Sequence, residues 1–336
     1  MNFDPMISSE IAIIMTLSAA FMWGSWFISL KYLEGYPIEG FYIILFSSSM
    51  ILVWGLGFIL DGNALIQNIK DVWDVNPSKV FITFICGFLY VSGMQFSLRV
   101  MQVIGLALSQ PLSSSINLIG GTIISGFIGG IPQGLSALRI TIAGIFLLGA
   151  VYLTMTAGRI RNRDQKAANI KTGLTDDPKA IRSAIILLLI SAIFTPAYST
   201  ALSYGLKSIT QENGLAVMPF MAVLCSGAFT GAIIICGTGL TIKKKWNEFL
   251  HSGFHKHKFG VISGLAHYGG NIIHTFATRH LSSVVSWPLG FTAGLWTQVW
   301  GLAYGEFKGA SRRAYILLFS GFLCYLVGAL IIANIL

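Results

Sequence analysis

Charge is what this 336-residue chain has little of. Asp, Glu, Lys and Arg make up 10% of it, against 54% hydrophobic residues and a mean hydropathy of +0.72. A water-soluble domain carries about a quarter charged residues. That excludes a soluble globule and leads us to expect an integral membrane protein. Negative charge is the scarcer sign, with 13 acidic residues against 22 basic ones. No Asp or Glu falls near the middle of an apolar run; Glu10, Asp61 and Glu306 all stand at ends. A carboxylate-centred proton antiporter for cationic drugs needs one at mid-depth, so that class is disfavoured. Cysteine is also scarce. Cys86, Cys225, Cys236 and Cys324 lie in apolar runs without metal-ligand spacing, which leaves packing as their role. No cofactor or metal is expected. The short alternating segments of a β-barrel are missing too. Met1–Glu10 has no basic leader region and Ile11–Leu33 no small-residue cleavage site, so a removable signal peptide is not expected.

What the chain does have is long apolar runs. Ten stretches of about 20 residues, the length that crosses a bilayer, lie at 9–31, 41–60, 80–101, 105–130, 138–157, 183–206, 215–239, 258–279, 283–305 and 313–335. The expected fold is therefore an all-α integral membrane protein with ten transmembrane helices. Basic residues are unevenly shared between the connections. Seventeen lie in the 1–2, 3–4, 5–6, 7–8 and 9–10 connections and five on the opposite side. The positive-inside rule then places the first set in the cytoplasm and both termini outside a cytoplasmic membrane. Asp164, Asp176 and Asp177 interrupt the basic stretch Arg159–Arg182. It reads as a cytoplasmic linker, and no nucleic-acid partner is expected.

The two halves repeat. At a constant offset of 177 residues Ile85 matches Ile262, Gly87 matches Gly264 and Gly93 matches Gly270. The same offset carries Pro111-Leu112 onto Pro288-Leu289, Ala137 onto Ala314 and Gly144 onto Gly321. At an offset of 173, Ser18-Ala19-Ala20-Phe21 lies on Ser191-Ala192-Ile193-Phe194. Prolines and glycines that hold one register over so long a stretch point to a duplicated five-helix unit: 1–157 and 183–336, joined by the linker 158–182. Five is odd, so the second copy enters the membrane from the other side. Inverted repeats of this kind are common in secondary transporters, with substrate at the repeat interface near the midplane.

Polar residues inside the runs mark the candidate site. His267, Asn271, His274 and Thr278 share one helix face, and Gly290, Gly294, Gln298, Gly301 and Gly305 share another. Trp23-Gly24-Ser25-Trp26 lies near mid-depth, away from the interface where tryptophan usually sits. Tyr90, Gln95 and Ser97 mark the third run; Gln110, Ser114, Asn117 and Gly121 share a face of the fourth. Amides are costly in lipid unless they line a cavity or pair with each other. The expected substrate-binding residues are Trp23, Trp26, Tyr90, Gln95, Gln110, Asn117, His267, Asn271, Trp287 and Gln298. Amides hydrogen-bond hydroxyls, and aromatic faces cover the C–H face of a sugar ring, so the expected ligand is a small, neutral, hydroxyl-rich solute. His267 and His274, whose imidazoles titrate near neutrality, and Glu306 are the candidates for proton coupling. Pro111, Pro196, Pro219 and Pro288 are expected to interrupt helices around the cavity. Runs five and ten are expected to serve as scaffold or as a homodimer contact. Trp300–Gly309 is expected to form a cytoplasmic gate or structural turn. No metal cluster or nucleophile–base pair with recognisable spacing is present, so an enzyme is not expected. A sensor would need an output domain that the sequence does not show.

Two motifs carry a family resemblance. Trp23-Gly24-Ser25-Trp26 followed by Lys31-Tyr32, and Trp300-Gly301-Leu302 with Gly305-Glu306-Phe307-Lys308-Gly309, resemble the drug/metabolite transporter superfamily. Within it the chain is most similar to the branch holding the glucose/ribose uptake proteins and the L-rhamnose–proton symporter. The resemblance implies sugar uptake driven by a cation gradient, with the proton as the cation. Plant ureide permeases have a similar tryptophan-glycine opening, so a ureide or nucleobase transporter is the alternative, together with an exporter of the same superfamily.

Overall fold

The computed structural model describes residues 2–104, 106–168, 178–194 and 196–333, without the side chains of 98, 99, 101–112, 178, 180, 181, 185 and 192. Among the described residues the regular structure is helical, apart from the isolated bridges Leu206–Leu215 and Ser208–Gln211.

Helix α1 (Ser9–Ser25) starts where the Ser8 hydroxyl accepts the Ile11 N–H, a side-chain cap for an orphan donor. Its apolar run then tightens into a 3-10 helix (Trp26–Tyr32). The first half continues with α2 (Ile38–Asp61), α3 (Ala64–Val75), α4 (Pro77–Ile104), α5 (Leu106–Gly129) and α6 (Ala137–Ala167). The second half holds α7 (Pro178–Phe194), α8 (Ala197–Tyr204), α9 (Val217–Ile242), α10 (Trp246–Leu250), α11 (Phe254–Leu281), α12 (Ser283–Gly290), α13 (Ala293–Ala303) and α14 (Arg312–Ile332).

Among the described residues six helical stretches are long and apolar enough to cross a membrane: Ser9–Tyr32, Ile38–Asp61, Pro77–Ser97, Ala137–Ala167, Val217–Ile242 and Arg312–Ile332. The protein is thus α-helical and membrane-embedded. The other expected runs are helical as well: α5, α7 with α8, α11, and α12 with α13. Three features differ from the sequence reading. Helix α3 was not among the apolar runs, because Gln67, Asn68, Lys70 and Asp71 dilute it; it is amphipathic and packs Leu65, Ile69 and Val72 on the core. Helix α6 runs on through the first residues of the expected linker. Pro219 interrupts nothing, since it sits in the first turn of α9, where its missing N–H would have no helical partner anyway. Pro196 does separate α7 from α8, and Pro288 lies in α12 just before its end. Pro111 lies within α5.

The principal core gathers Phe41, Tyr42, Phe46, Phe220 and Tyr268. Around it α9 packs on α2 and α4, α11 on α1 and α2, and α4 on α7 and α8. Helix α5 lies against α8 and α12, α1 against α12 and α13, and α6 against α14. Helices approach closely where a glycine presents no side chain. A Cβ at Gly87 would lie 2.1 Å from the Leu224 carbonyl oxygen of α9, and one at Gly264 would lie 2.3 Å from that of Leu45 in α2. The Gly93 carbonyl accepts from Ser191 of α7, and Gly270 faces Ala19 and Trp23 of α1.

Polar contacts tie the helix ends together. At the Lys/Arg-rich end Lys243 pairs with Glu39 at 2.5 Å, and Lys256 donates to the Tyr32 and Glu34 carbonyls. At the opposite end Asn2 and the Phe3 N–H bind Asp61, Asp4 pairs with Arg279, and Asn68 accepts the Ala216 N–H.

Candidate functional site

Helices α1, α4, α5, α8, α11, α12 and α13 enclose a central cavity of about 190 Å³. An apolar cavity of about 150 Å³ takes one benzene ring, so the space suits a solute built on a single six-membered ring. Its walls are mostly aromatic: Trp23 near the end of α1, Trp26 and Phe27 at the start of the 3-10 helix, Tyr42 on α2, Tyr90 on α4, Tyr198 on α8, and Trp287 and Phe291 around the α12–α13 break. Ser97, Ser113, Ser114, Asn117, His267 and Thr297 supply polar groups, and among the described residues the lining contains no carboxylate, lysine or arginine.

Hydrogen bonds set the walls. Trp23 Nε1 donates to Asn271 Oδ1 at 2.8 Å; this orients the Asn271 amide, whose Nδ2 has no protein partner. Trp287 Nε1 donates to the Asn117 carbonyl at 3.1 Å, and Asn117 Oδ1 has no protein partner. The Tyr90 hydroxyl and His267 Nε2 lie 3.1 Å apart, their rings nearly parallel at 6.1 Å. His267 Nδ1 is left without a protein partner. A buried polar group without a partner costs about 1–3 kcal/mol. Asn117 Oδ1 is an acceptor, and His267 Nδ1 serves as either donor or acceptor. A hydroxyl, itself both donor and acceptor, can satisfy either one.

The structure brings Trp23, Trp26, Tyr90, Asn117, His267 and Trp287 together in this lining. Asn271 stands behind Trp23 and holds it. Gln95 turns the other way, buried, with Nε2 donating to Cys236 Sγ at 3.2 Å. Gln298 lies in a second cavity nearer the Lys/Arg-rich end. The Gln110 side chain lies outside the described residues. Of the coupling candidates, only His267 lines the central cavity. His274 is fully buried beside it, with Nε2 3.1 Å from the Ser286 carbonyl and Nδ1 3.4 Å from the Tyr198 and Thr278 hydroxyls. Glu306 belongs to the second cavity and pairs with Lys31 at 2.5 Å and Arg161 at 3.2 Å.

Sequence reasoning missed Tyr198. Its ring meets those of Trp23, Tyr90, His274 and Trp287. Its hydroxyl stands 3.4–3.5 Å from three oxygen or nitrogen atoms of α11, long contacts that a better partner could replace. The available signal was Pro196, which starts α8 afresh two residues before Tyr198. Tyr42 was also missed, on a helix read as packing only. Among the described residues no group of His, Cys, Asp and Glu is arranged to hold a metal. The arrangement can bind and orient an uncharged ring through aromatic faces and a few hydrogen bonds. No family model matches the chain and no curated protein matches it, so what this site does has to be argued from its geometry.

Proposed function

We propose that the chain is a secondary transporter that moves a monosaccharide, rhamnose- or glucose/ribose-like, across the cytoplasmic membrane by alternating access. In this reading all ten apolar runs cross the bilayer, as two five-helix repeats of opposite orientation. The observation that carries it is the central cavity, ring-sized, aromatic and, among the described residues, lined by no charged side chain, set where the two halves of the chain meet.

Helix pairings support the repeat. Exchanging the halves turns α4 on α9 into α11 on α2, α4 on α7 and α8 into α11 on α1, and α5 on α8 into α12 and α13 on α1; each of these pairings occurs. The α2–α9 and α6–α14 pairs map onto themselves. Gly87 and Gly264, matched at the offset of 177, each sit at a close crossing of the exchanged kind. Tyr90 and His267, matched by the same offset, bond to each other, as exchanged residues on a pseudo-two-fold axis can. Rocking one such repeat against the other exposes a fixed site to each side in turn. The Lys/Arg-rich end is cytoplasmic and both termini are outside in this reading, and His267 is the proton-coupling group best placed to sense the solute. The resemblance to the drug/metabolite transporter superfamily, in its glucose/ribose and L-rhamnose branch, points the same way.

A second reading, a ureide or nucleobase transporter, is favoured by the three indoles that flank the cavity, which suit a planar ring. A thermal-shift screen of the purified protein separates the two. A ligand at a hundred times its dissociation constant stabilises the folded state by about 2.7 kcal/mol. The expected result is a higher melting temperature with L-rhamnose, D-glucose or D-ribose that the Asn117→Leu variant loses. A shift with ureides or nucleobases alone selects the second reading, and no shift with any of them refutes both. Proteoliposome uptake with and without a pH gradient then tests the coupling ion.

A further inference from the structure

The central cavity has a neighbour of the same size. A second cavity of about 190 Å³ lies between the 3-10 helix, the end of α6 and α13. Phe27 and Thr297 line both. On the opposite side of the central cavity, toward the termini, the helices are closed by hydroxyls. Ser203 bonds Ser125 at 3.2 Å and Ser283 at 2.8 Å, and Thr278 bonds Ser286 at 2.7 Å; all five are at most 2% exposed. The central cavity therefore has an open neighbour toward the Lys/Arg-rich end and a hydrogen-bonded seam toward the other.

We propose that the second cavity is the vestibule through which solute passes between the central cavity and the Lys/Arg-rich end, with Phe27 as the shutter between the two. The proposal rests on the transport reading above and adds a route to it. At the shared boundary the backbone leaves no slack. Gly24 sits so close to α13 that a Cβ there would lie 2.5 Å from the Ala293 carbonyl oxygen, and Thr297 donates to the Ala293 carbonyl at 3.2 Å. The bulky group free to turn is Phe27, half-buried and stacked on Trp26 at 3.9 Å. It sits on a 3-10 helix, whose hydrogen bonds are poorer than those of an α-helix and which often marks a hinge. Beyond the shutter the lining suits the same uncharged, hydroxyl-bearing solute. Trp300 offers an apolar face, fixed by its Nε1 bond to Ser25 at 2.8 Å. Gln298 offers an amide that both donates and accepts. At the mouth Glu306 joins Lys31 and Arg161, from the other half of the chain, to the end of α13.

Accessibility of engineered cysteines tests the route. The native cysteines give a low background: Cys86, Cys225 and Cys236 are buried and Cys324 half-buried. Gln298→Cys, which lines only the second cavity, reports on the vestibule and Ser114→Cys on the central cavity. A membrane-impermeant thiol reagent is added to vesicles of either orientation. Gln298→Cys should react from the Lys/Arg-rich side. Ser114→Cys should react from that same side at least about tenfold more slowly, the factor set by a shutter open a tenth of the time or less. Phe27→Ala should remove that difference, Phe27→Leu reduce it and Phe27→Trp preserve it, with Gln298→Cys labelling unchanged as the sign that each variant is folded. Faster labelling of Ser114→Cys from the termini side, or labelling as fast as Gln298→Cys with Phe27 in place, overturns the proposal. Labelling needs no solute. A chain that moves no sugar can still pass this test, and one that moves sugar by another route fails it.

Discussion

Replacing Gly87 by Ala, and separately Gly264 by Ala, tests both the packing of this fold and the duplication read from it. A Cβ at position 87 would stand 2.1 Å from a backbone oxygen and one at 264 would stand 2.3 Å away, whereas real Cβ contacts stay above about 3.0 Å. The obstacle is main chain and no rotamer change relieves it. Helix α4 must move off α9 by about 0.9 Å, and α11 off α2 by about 0.7 Å. A radial gap of that size forfeits about a quarter to a half of the dispersion attraction along the seam. Inside a membrane that attraction is a main source of helix association, because lipid supplies no hydrophobic drive. Overpacking of this kind costs about 1–3 kcal/mol, offset by up to about 1 kcal/mol from alanine's better helix propensity. Both variants should therefore melt below the native chain, and by similar amounts. Gly144→Ala and Gly149→Ala, whose Cβ atoms meet nothing within 4 Å, should melt at or above it. Thermal unfolding in detergent, followed by tryptophan fluorescence, reads all four. Should Gly87→Ala and Gly264→Ala leave the melting temperature unchanged, these helix crossings are looser than described. Opposite signs at the two positions would remove the argument that they are equivalent.

Ser282, between α11 and α12, has φ 69° and ψ 160° and a buried hydroxyl without a partner. Gly253, before α11, takes nearly the same conformation at φ 70° and ψ 167°. That region is essentially reserved for glycine, and a side chain there costs about 1–3 kcal/mol. Ser282→Gly should raise the melting temperature; a lower one refutes the strain. At the vestibule mouth the Arg161 side chain is 12% exposed, against 37% for Lys31. Lys31→Ala should cost at most about 1 kcal/mol, and Arg161→Ala about 1–3 kcal/mol, because a charged hydrogen bond in a partly desolvated site is worth more. Equal losses in denaturant unfolding would contradict this. His257 lies just outside the apolar run 258–279, 2.8 Å from the Tyr36 hydroxyl. Burial, and then the charge of His255, lower its pKa below the ordinary 6.5. Its neutral form is favoured in the folded chain, so the contribution is present above pH 6.5 and lost as pH falls below it. Melting curves taken downward from neutral pH should show that loss, and His257→Gln should flatten it.

The runs themselves were legible because a bilayer demands a fixed apolar length and cannot tolerate an unsatisfied backbone. What each polar side chain does inside was less so. Gln95 and Asn117 present the same chemistry to a reader of sequence, a buried amide that needs partners. One finds Cys236 on a neighbouring helix and the other faces the cavity, a difference set by which helix lies opposite. The spacing of Gly290 and Gln298 predicts a shared face, yet Gly290 ends α12 and lines the central cavity while Gln298 stands on α13 and lines the vestibule. The break between α12 and α13 falls between them, and periodicity gives direction around an axis without showing where the helix stops or the depth along it. Tyr198 went unnoticed because a tyrosine in an apolar run carries no mark of function until the break at Pro196 turns it inward. Tyr90 and His267 show the limit from the other side. The 177-residue offset pairs them as equivalents, but equivalent residues touch only where both lie near the axis relating the two halves. The 177-residue register is written in the sequence. Whether matched residues meet is a property of the packing, and Tyr90 and His267 meet at the wall of the aromatic cavity.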